Sequence, residues 1–303
     1  MSWIPDFLTA SYSLLLEPLR FSFMLYALAA TLIVAVVCAV IGTFVVLKGL
    51  AFIGDAIAHA SFAGVATAYL FGGNIYIGAA FAAVATAAAI AFISHRTRVS
   101  SDTAIGILFV GAFSLGIVLM SRVQNYAVDL LNFVLGNVLG VSVEDLLLVG
   151  IVGFVTMAIV FALYKELLFY AFDTEMARAV GLPATFLHYL LLVLLAITTI
   201  VAMKVVGIVL VVAMLVTPSA TATLLTKKFS SVMLLGSGIS VVAALIGLYI
   251  SYYAAVPSGA AIVLTNTFLF FATLIFKASK SIAVRRALPY DEATAAKGMD
   301  QAT

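Results

Sequence analysis

Charge is scarce in this chain, and most other polar devices are scarce with it. Asp, Glu, Lys and Arg supply 9% of its 303 residues, where soluble domains carry about 25%, so a water-soluble globular domain is excluded. Cysteine occurs once, as Cys38 within an apolar run, which rules out a disulfide framework inside the chain. The net charge of +2 is spread over short connections, too weak and too scattered for a nucleic-acid-binding surface. His-Glu-x-x-His, Gly-x-Ser-x-Gly and Cys-x-x-Cys are missing, and with them the local signatures of several enzyme classes. The phosphate loop Gly-x-x-x-x-Gly-Lys-Ser/Thr is also missing, so the chain is not expected to hydrolyse ATP itself. Residues 1–19 hold no Lys or Arg and include Asp6 and Glu17, so no cleavable signal peptide is expected.

Hydrophobic residues make up 65% of the chain, with a mean hydropathy of +1.26. Apolar runs able to cross ~30 Å of hydrocarbon lie at roughly 21–47, 54–71, 75–94, 103–121, 146–164, 186–203, 205–225, 231–253 and 258–276. The fold class is therefore an all-α integral membrane protein, a polytopic bundle of about nine transmembrane helices in contact with lipid. The 54–71 run is short and rich in Gly and Ala, and only Lys204 separates the sixth run from the seventh. The apolar stretch 131–141 is too short to span and reads as a re-entrant or interfacial helix. The small residues around 79–89 read as ordinary close helix packing.

Basic residues orient the bundle. With the C-terminus in the cytoplasm, twelve basic residues face inward: Lys48, Arg96, Arg98, Lys165, Arg178, Lys227, Lys228, Lys277, Lys280, Arg285, Arg286 and Lys297. Three face outward, Arg20, Arg122 and Lys204. Nine spans then leave the N-terminus outside, with residues 4–18 as a short interfacial helix. The expected organisation is an N-terminal interfacial segment (1–20), a membrane domain (21–276) and a basic cytoplasmic tail without fixed structure (277–303). The largest cytoplasmic connection, 165–185, contains Asp173-Thr174-Glu175-Met176-Ala177-Arg178-Ala179-Val180-Gly181-Leu182-Pro183. It reads as a short amphipathic helix capped by Asp173 or Thr174 and ended by Gly181 and Pro183. Composition alone favours a solvated connector.

Against this background, Gly54-Asp55-Ala56-Ile57-Ala58-His59-Ala60 stands out. Between Lys48 and His95 the only acidic, basic or imidazole side chains are Asp55 and His59, and a spacing of four puts them on one helical face about 6 Å apart. Ionisable side chains inside a membrane are costly and mark substrate paths. A carboxylate beside an imidazole is also a ligand pair for divalent transition metals. The competing reading is a buried pair that holds two helices together. Two ligands are too few for a closed zinc site, whereas a second copy facing the first would double them. Of the other histidines, His95 beside Arg96 reads as a solvated flank, and His188 at the start of the sixth run is a possible pathway residue.

At these residues the chain resembles the permease subunits of bacterial ABC importers for manganese, zinc and iron, which are related to the iron-chelate and vitamin B12 permeases. The resemblance rests on Gly42–Leu50, Gly54–Ala60, Ser101–Gly106, Phe133–Leu139, Glu175–Pro183 and Val206–Ala222, in order over residues 20–276. It implies a homodimer in the bacterial plasma (inner) membrane, working with two copies of a cytoplasmic ATP-binding subunit and an extracytoplasmic metal-binding protein. It implies that Asp55 and His59 serve the metal pathway. It also implies that Asp173, Thr174, Glu175, Ala177, Arg178, Gly181, Leu182 and Pro183 form the coupling helix to the ATPase. Many relatives have Ser where this chain has Ala58, and Leu-Pro-Gly where it has Phe62-Ala63-Gly64.

The loop 177–183 and the segment Met214-Leu215-Val216-Thr217-Pro218 look most like manganese-type members. Mn2+ ranks first as the transported ion, Fe2+ second and Zn2+ third, because an Asp/His site suits harder ions well. No permanently bound cofactor is expected. Two other classes stay open at this point: a proton-coupled secondary metal transporter using the same pair as a relay, and an intramembrane metal-dependent enzyme.

Overall fold

The structure, a computed structural model, describes residues 17–97, 99–121 and 138–287. Residues 131–137, most of the N-terminal segment, Arg98, Arg122 and the tail beyond 287 lie outside the described residues. Among those described, nine long helices follow the nine apolar runs. They are α1 (Ser22–Leu47), α2 (Ile53–Leu70), α3 (Ile75–Arg96), α4 (Ser101–Met120), α5 (Val143–Ala162), α8 (Ala184–Val206), α9 (Ile208–Leu225), α10 (Phe229–Ala254) and α11 (Ser258–Ala287). Two short helices, α6 (Tyr164–Phe172) and α7 (Thr174–Ala179), sit between α5 and α8. In lipid every backbone donor and acceptor must be satisfied within the segment, which is why apolar runs of this length become helices.

The helix starts are chemically marked. Asn74 caps α3 by accepting from the backbone N–H groups of Tyr76 and Ile77. Ser100 caps α4 through the N–H of Thr103, and Ser142 with Asp145 forms a reciprocal capping box on α5. Seven of the nine helices are long and apolar enough to cross a membrane unaided. The other two, α2 and α9, have 18 residues each, about 27 Å of helix. Both are enclosed by neighbours: α2 packs against α3, α4, α8 and α9, and α9 against α1, α10 and α11. Enclosure is what allows α2 to carry polar side chains at membrane depth.

Three boundaries differ from the sequence reading. The sixth and seventh spans part at Gly207, whose backbone (φ +81°, ψ 165°) leaves the helix in a region that side chains avoid. Lys204 is instead inside α8, where its Nζ lies 2.6 Å from Oδ1 of Asp145 on α5 and 4.5 Å from the ring centre of Tyr76 on α3. The connection after α5 is helical from its start, because Leu167, Tyr170 and Ala171 recur at helical spacing and are buried. Finally, α11 runs on to Ala287, well into the segment read as tail. Of the stretch 131–141, residues Val138–Gly140 form one 3-10 turn.

The starts of α2 and α4 meet at one cleft, the end of α3 and the starts of α4 and α8 at a second, and Phe229 at the start of α10 packs on Phe44 near the end of α1, so these helix ends gather at one end of the bundle. Lys48, α6 and α7 also lie at this end. The opposite end carries Lys204, Asp145 and Tyr76.

Candidate metal site

Within the first turns of α2 the buried positions are Ile53, Gly54, Ala56, Ile57 and Ala58. They turn Asp55 and His59 onto the one face that is not packed away: the two side chains keep 38% and 29% of their surface respectively. Nδ1 of His59 lies 3.1 Å from Oδ1 of Asp55 and 3.0 Å from the Asp55 backbone carbonyl. A carbonyl oxygen only accepts, so Nδ1 carries the proton in this arrangement and Nε2 presents its lone pair. The imidazole is held from the side by α4, edge-on to Phe109 (5.2 Å, 89°) and Phe113 (5.5 Å, 82°). Those two rings are themselves stacked at 6.2 Å. The helix runs unbroken through Ala58 and Phe62-Ala63-Gly64, so the departures from the relatives' sequence leave the pair on a regular helix.

Asp55 opens into a cleft of about 220 Å³ between α2 and α4, lined also by Phe52, Asp102, Ile105 and Phe109. Two carboxylates and no basic side chain line this cleft, a distribution that attracts cations. Sequence reading passed over Asp102, since nothing along the chain ties it to Asp55. The available signal was that both acids fall in the first turn of helices starting at the same end of the bundle. Cis ligands of a divalent ion with bonds of about 2.1–2.2 Å stand about 3.0 Å apart. Oδ1 and Nδ1 stand at about that spacing but as a hydrogen bond, so the atoms left to a metal are the second carboxylate oxygen of Asp55 and Nε2 of His59. Among the described residues no three His, Cys, Asp or Glu side chains converge on one point.

His188 is not brought to this pair. It lines a second cleft of about 300 Å³ with Ser94, Ser101, Tyr170, Thr174 and Arg178, and its Nδ1 lies 2.7 Å from the Tyr170 hydroxyl. Burial pushes the Tyr170 phenol up to about 12, against a smaller opposing pull from Arg178, so it stays un-ionised. Helix α7 forms the rim of this second cleft. Asp173 caps it by accepting from the Met176 N–H at 2.9 Å. Gly181 (φ +85°) closes it, with its N–H donating to the Arg178 carbonyl and that of Leu182 to the Ala177 carbonyl, a Schellman turn. Only Ala177 of α7 is buried. Met176 is 51% exposed, Val180 is exposed, and Glu175 and Arg178 pair across one turn at 2.9 Å on the same open side. Leu182 is half-buried and Pro183 exposed.

Residues 20–277 match the model of a family described as "ABC 3 transport family". A manganese transport system membrane protein, MntC, of Halalkalibacterium halodurans is 43% identical over 267 residues, covering 88% of this chain and 91% of that protein. A probable iron transport system membrane protein of Haemophilus influenzae is 39% identical, covering 86% and 96%. Among solved structures, PsaBC from Streptococcus pneumoniae in complex with Fab superposes with a TM-score of 0.76 at 36% identity, over 86% of this chain and 94% of that one. The chain belongs to the ABC 3 transport family.

Proposed function

We propose that this chain is the membrane-spanning subunit of an ATP-driven importer that moves a divalent transition metal into the cytoplasm, Mn2+ first, Fe2+ second and Zn2+ third. The observation that carries this reading is the Asp55–His59 pair: a carboxylate and an imidazole in contact on one face of α2, beside an acid-lined cleft. Relatives named for manganese and for iron transport support the substrate class. One chain offers two ligands, so two copies facing each other would supply two Asp and two His.

In this reading the end bearing Lys48 and α7 faces the cytoplasm of a bacterium, with the C-terminus on the same side, as the basic residues require. The exposed face of α7 docks onto an ATP-binding subunit, one per permease copy, and an extracytoplasmic protein delivers the metal at the Lys204 end. The test is manganese uptake into liposomes holding the chain with and without the ATPase that co-purifies with it. Uptake that needs ATP and the ATPase is expected. Uptake by the chain alone, driven by a proton gradient, would overturn the reading in favour of a secondary transporter.

A further inference from the structure

Lys48 is the C-cap of α1, and its ammonium leaves its own helix to reach another. Nζ donates to the Thr174 hydroxyl at 2.6 Å and to the Tyr170 carbonyl at 3.2 Å, and lies 4.0 Å from the centre of the Tyr170 ring. The Thr174 hydroxyl donates in turn to the Tyr170 carbonyl at 3.3 Å. Tyr170 is in the last turn of α6 and Thr174 is the first residue of α7. A cation at the carbonyl end of one helix is favourable, and here the same cation also fixes the corner at which the next helix begins. Burial is the larger and Arg178 the smaller cause drawing the Lys48 ammonium below its usual range, with Asp173 pulling the other way.

From Lys48 the chain reaches α2 with little freedom. Gly49 N–H donates to the Val46 carbonyl and Leu50 N–H to the Val45 carbonyl, the two bonds of a Schellman turn. Ile53 N–H then donates to the Leu50 carbonyl, and Asp55 follows in the first turn of α2. Among the described residues α2 has no packing on α6 or α7 comparable to its packing on α3 and α4. The elbow between α1 and α2 is the covalent route from the α6–α7 corner to the metal-site helix, alongside the packing of α8 on both.

We infer that Lys48 is a positioning residue that couples movement of the α6–α7 corner to α2, so that displacement of the docking helix is felt at Asp55 and His59. The inference rests on the importer reading above, and it predicts a specific failure: energy consumption that continues while transport stops. An ammonium suits this task because it bonds two acceptors at once without depending on a single fixed angle.

The test uses the complete complex in liposomes and reads manganese ions transported per ATP hydrolysed. Lys48→Met is expected to lower that ratio at least tenfold while the ATPase subunit still co-purifies and hydrolysis stays within twofold of wild type. Lys48→Arg, which keeps the charge and the stacking on Tyr170, is expected to retain at least half of the ratio. Thr174→Val removes one acceptor and should lower the ratio at least threefold. Combined with Lys48→Met it should add nothing, because both changes cut the same link. A wild-type ratio in Lys48→Met overturns the inference alone, and so does loss of the ratio together with loss of ATPase binding, which would make Lys48 a part of the docking surface. If Lys48→Met fails to insert, Thr174→Val decides, and a wild-type ratio there overturns it. Wild-type complex without ATP-dependent uptake overturns the importer reading and this inference with it.

Discussion

Removing either member of the Asp55–His59 pair separates the transport reading from the structural one, because the two demand different magnitudes. A fully buried ion pair that loses one partner costs about 3–5 kcal/mol. This pair is not fully buried: 38% of the Asp55 side chain and 29% of the His59 side chain are open. An i,i+4 pair lining a water-accessible cleft, as Asp55 does, contributes less than about 1 kcal/mol, which moves a melting temperature by about 2–4 °C at most. Asp55→Asn and His59→Ala should thus yield protein that inserts, assembles and melts almost as wild type does. Transport should respond far more strongly. Loss of one metal ligand is expected to reduce manganese uptake at least 100-fold, equivalent to about 2.7 kcal/mol. The assay pairs a thermal melt of the purified complex with initial uptake rates at several manganese concentrations. The informative control is Asp55→Leu with His59→Leu, which removes the charge and the ligands together. A structural pair would be rescued by that double change. Uptake restored in the double variant, or a melting temperature lowered by ten degrees or more in the single ones, would refute the assignment of these residues to the metal path.

Glu175→Arg and Gly181→Val should each abolish uptake while the permease still inserts. The first reverses the charge on the open face of α7, and the second forces a β-branched residue to φ +85°, at about 1–3 kcal/mol of strain; normal uptake in both would make α7 a mere connector. Asp102→Asn should raise the manganese concentration needed for half-maximal uptake while leaving the maximal rate closer to wild type than Asp55→Asn does. Equal losses in the two variants would place Asp102 among the ligands. Lys204→Met and Asp145→Asn should each lower the melting temperature of the complex, since the 2.6 Å pair is only about a quarter exposed on each side; an unchanged melt in both would deny it a role in joining α5 to α8. A cysteine at Val256, 40% exposed in the turn before α11, should react with an impermeant thiol reagent in intact cells. One at Lys228, exposed at the other end of α10, should react only after permeabilisation, and Cys38 is too buried to interfere. The reverse pattern would invert the orientation.

The long helices were legible because a membrane leaves a chain few options: an apolar run of the right length has to satisfy its own backbone. What escaped sequence reading came from partners distant in the chain. Lys204 looked like a boundary because a lone charge between two apolar runs is expected to face water. Asp145 on α5 and the ring of Tyr76 on α3 stabilise it inside α8 instead, and the real break falls at Gly207. Helix α6 escaped because its buried face is only three residues, Leu167, Tyr170 and Ala171, too short a pattern to separate from the end of α5. The Asp55–His59 pair was visible because both residues lie on one helix. The neighbours that shape its surroundings, Phe109, Phe113 and Asp102, lie on α4 and meet α2 only when the bundle is packed.

The position of Asp55 and Asp102 in first turns has an electrostatic consequence for a cation carrier. Each helix start carries a partial positive charge equivalent to roughly half an elementary charge, felt within the first turn, while the ends of α1 and α3 at the same end of the bundle carry the opposite sign. A first-turn carboxylate is stabilised by the same dipole, by about 0.3–1 kcal/mol in exposed positions, so Asp55 and Asp102 sit where a negative charge is easiest to keep. Both carboxylates line the cleft between α2 and α4, with no basic side chain among its walls. The imidazole of His59, one turn deeper, then adds a ligand without adding charge as long as it is neutral. Acid should therefore impair transport from two directions: protons compete with the metal for His59, and a protonated imidazole adds positive charge to a site that depends on carrying none. Between these, competition at the ligand is the stronger, because it removes a bond to the ion and not merely part of a field.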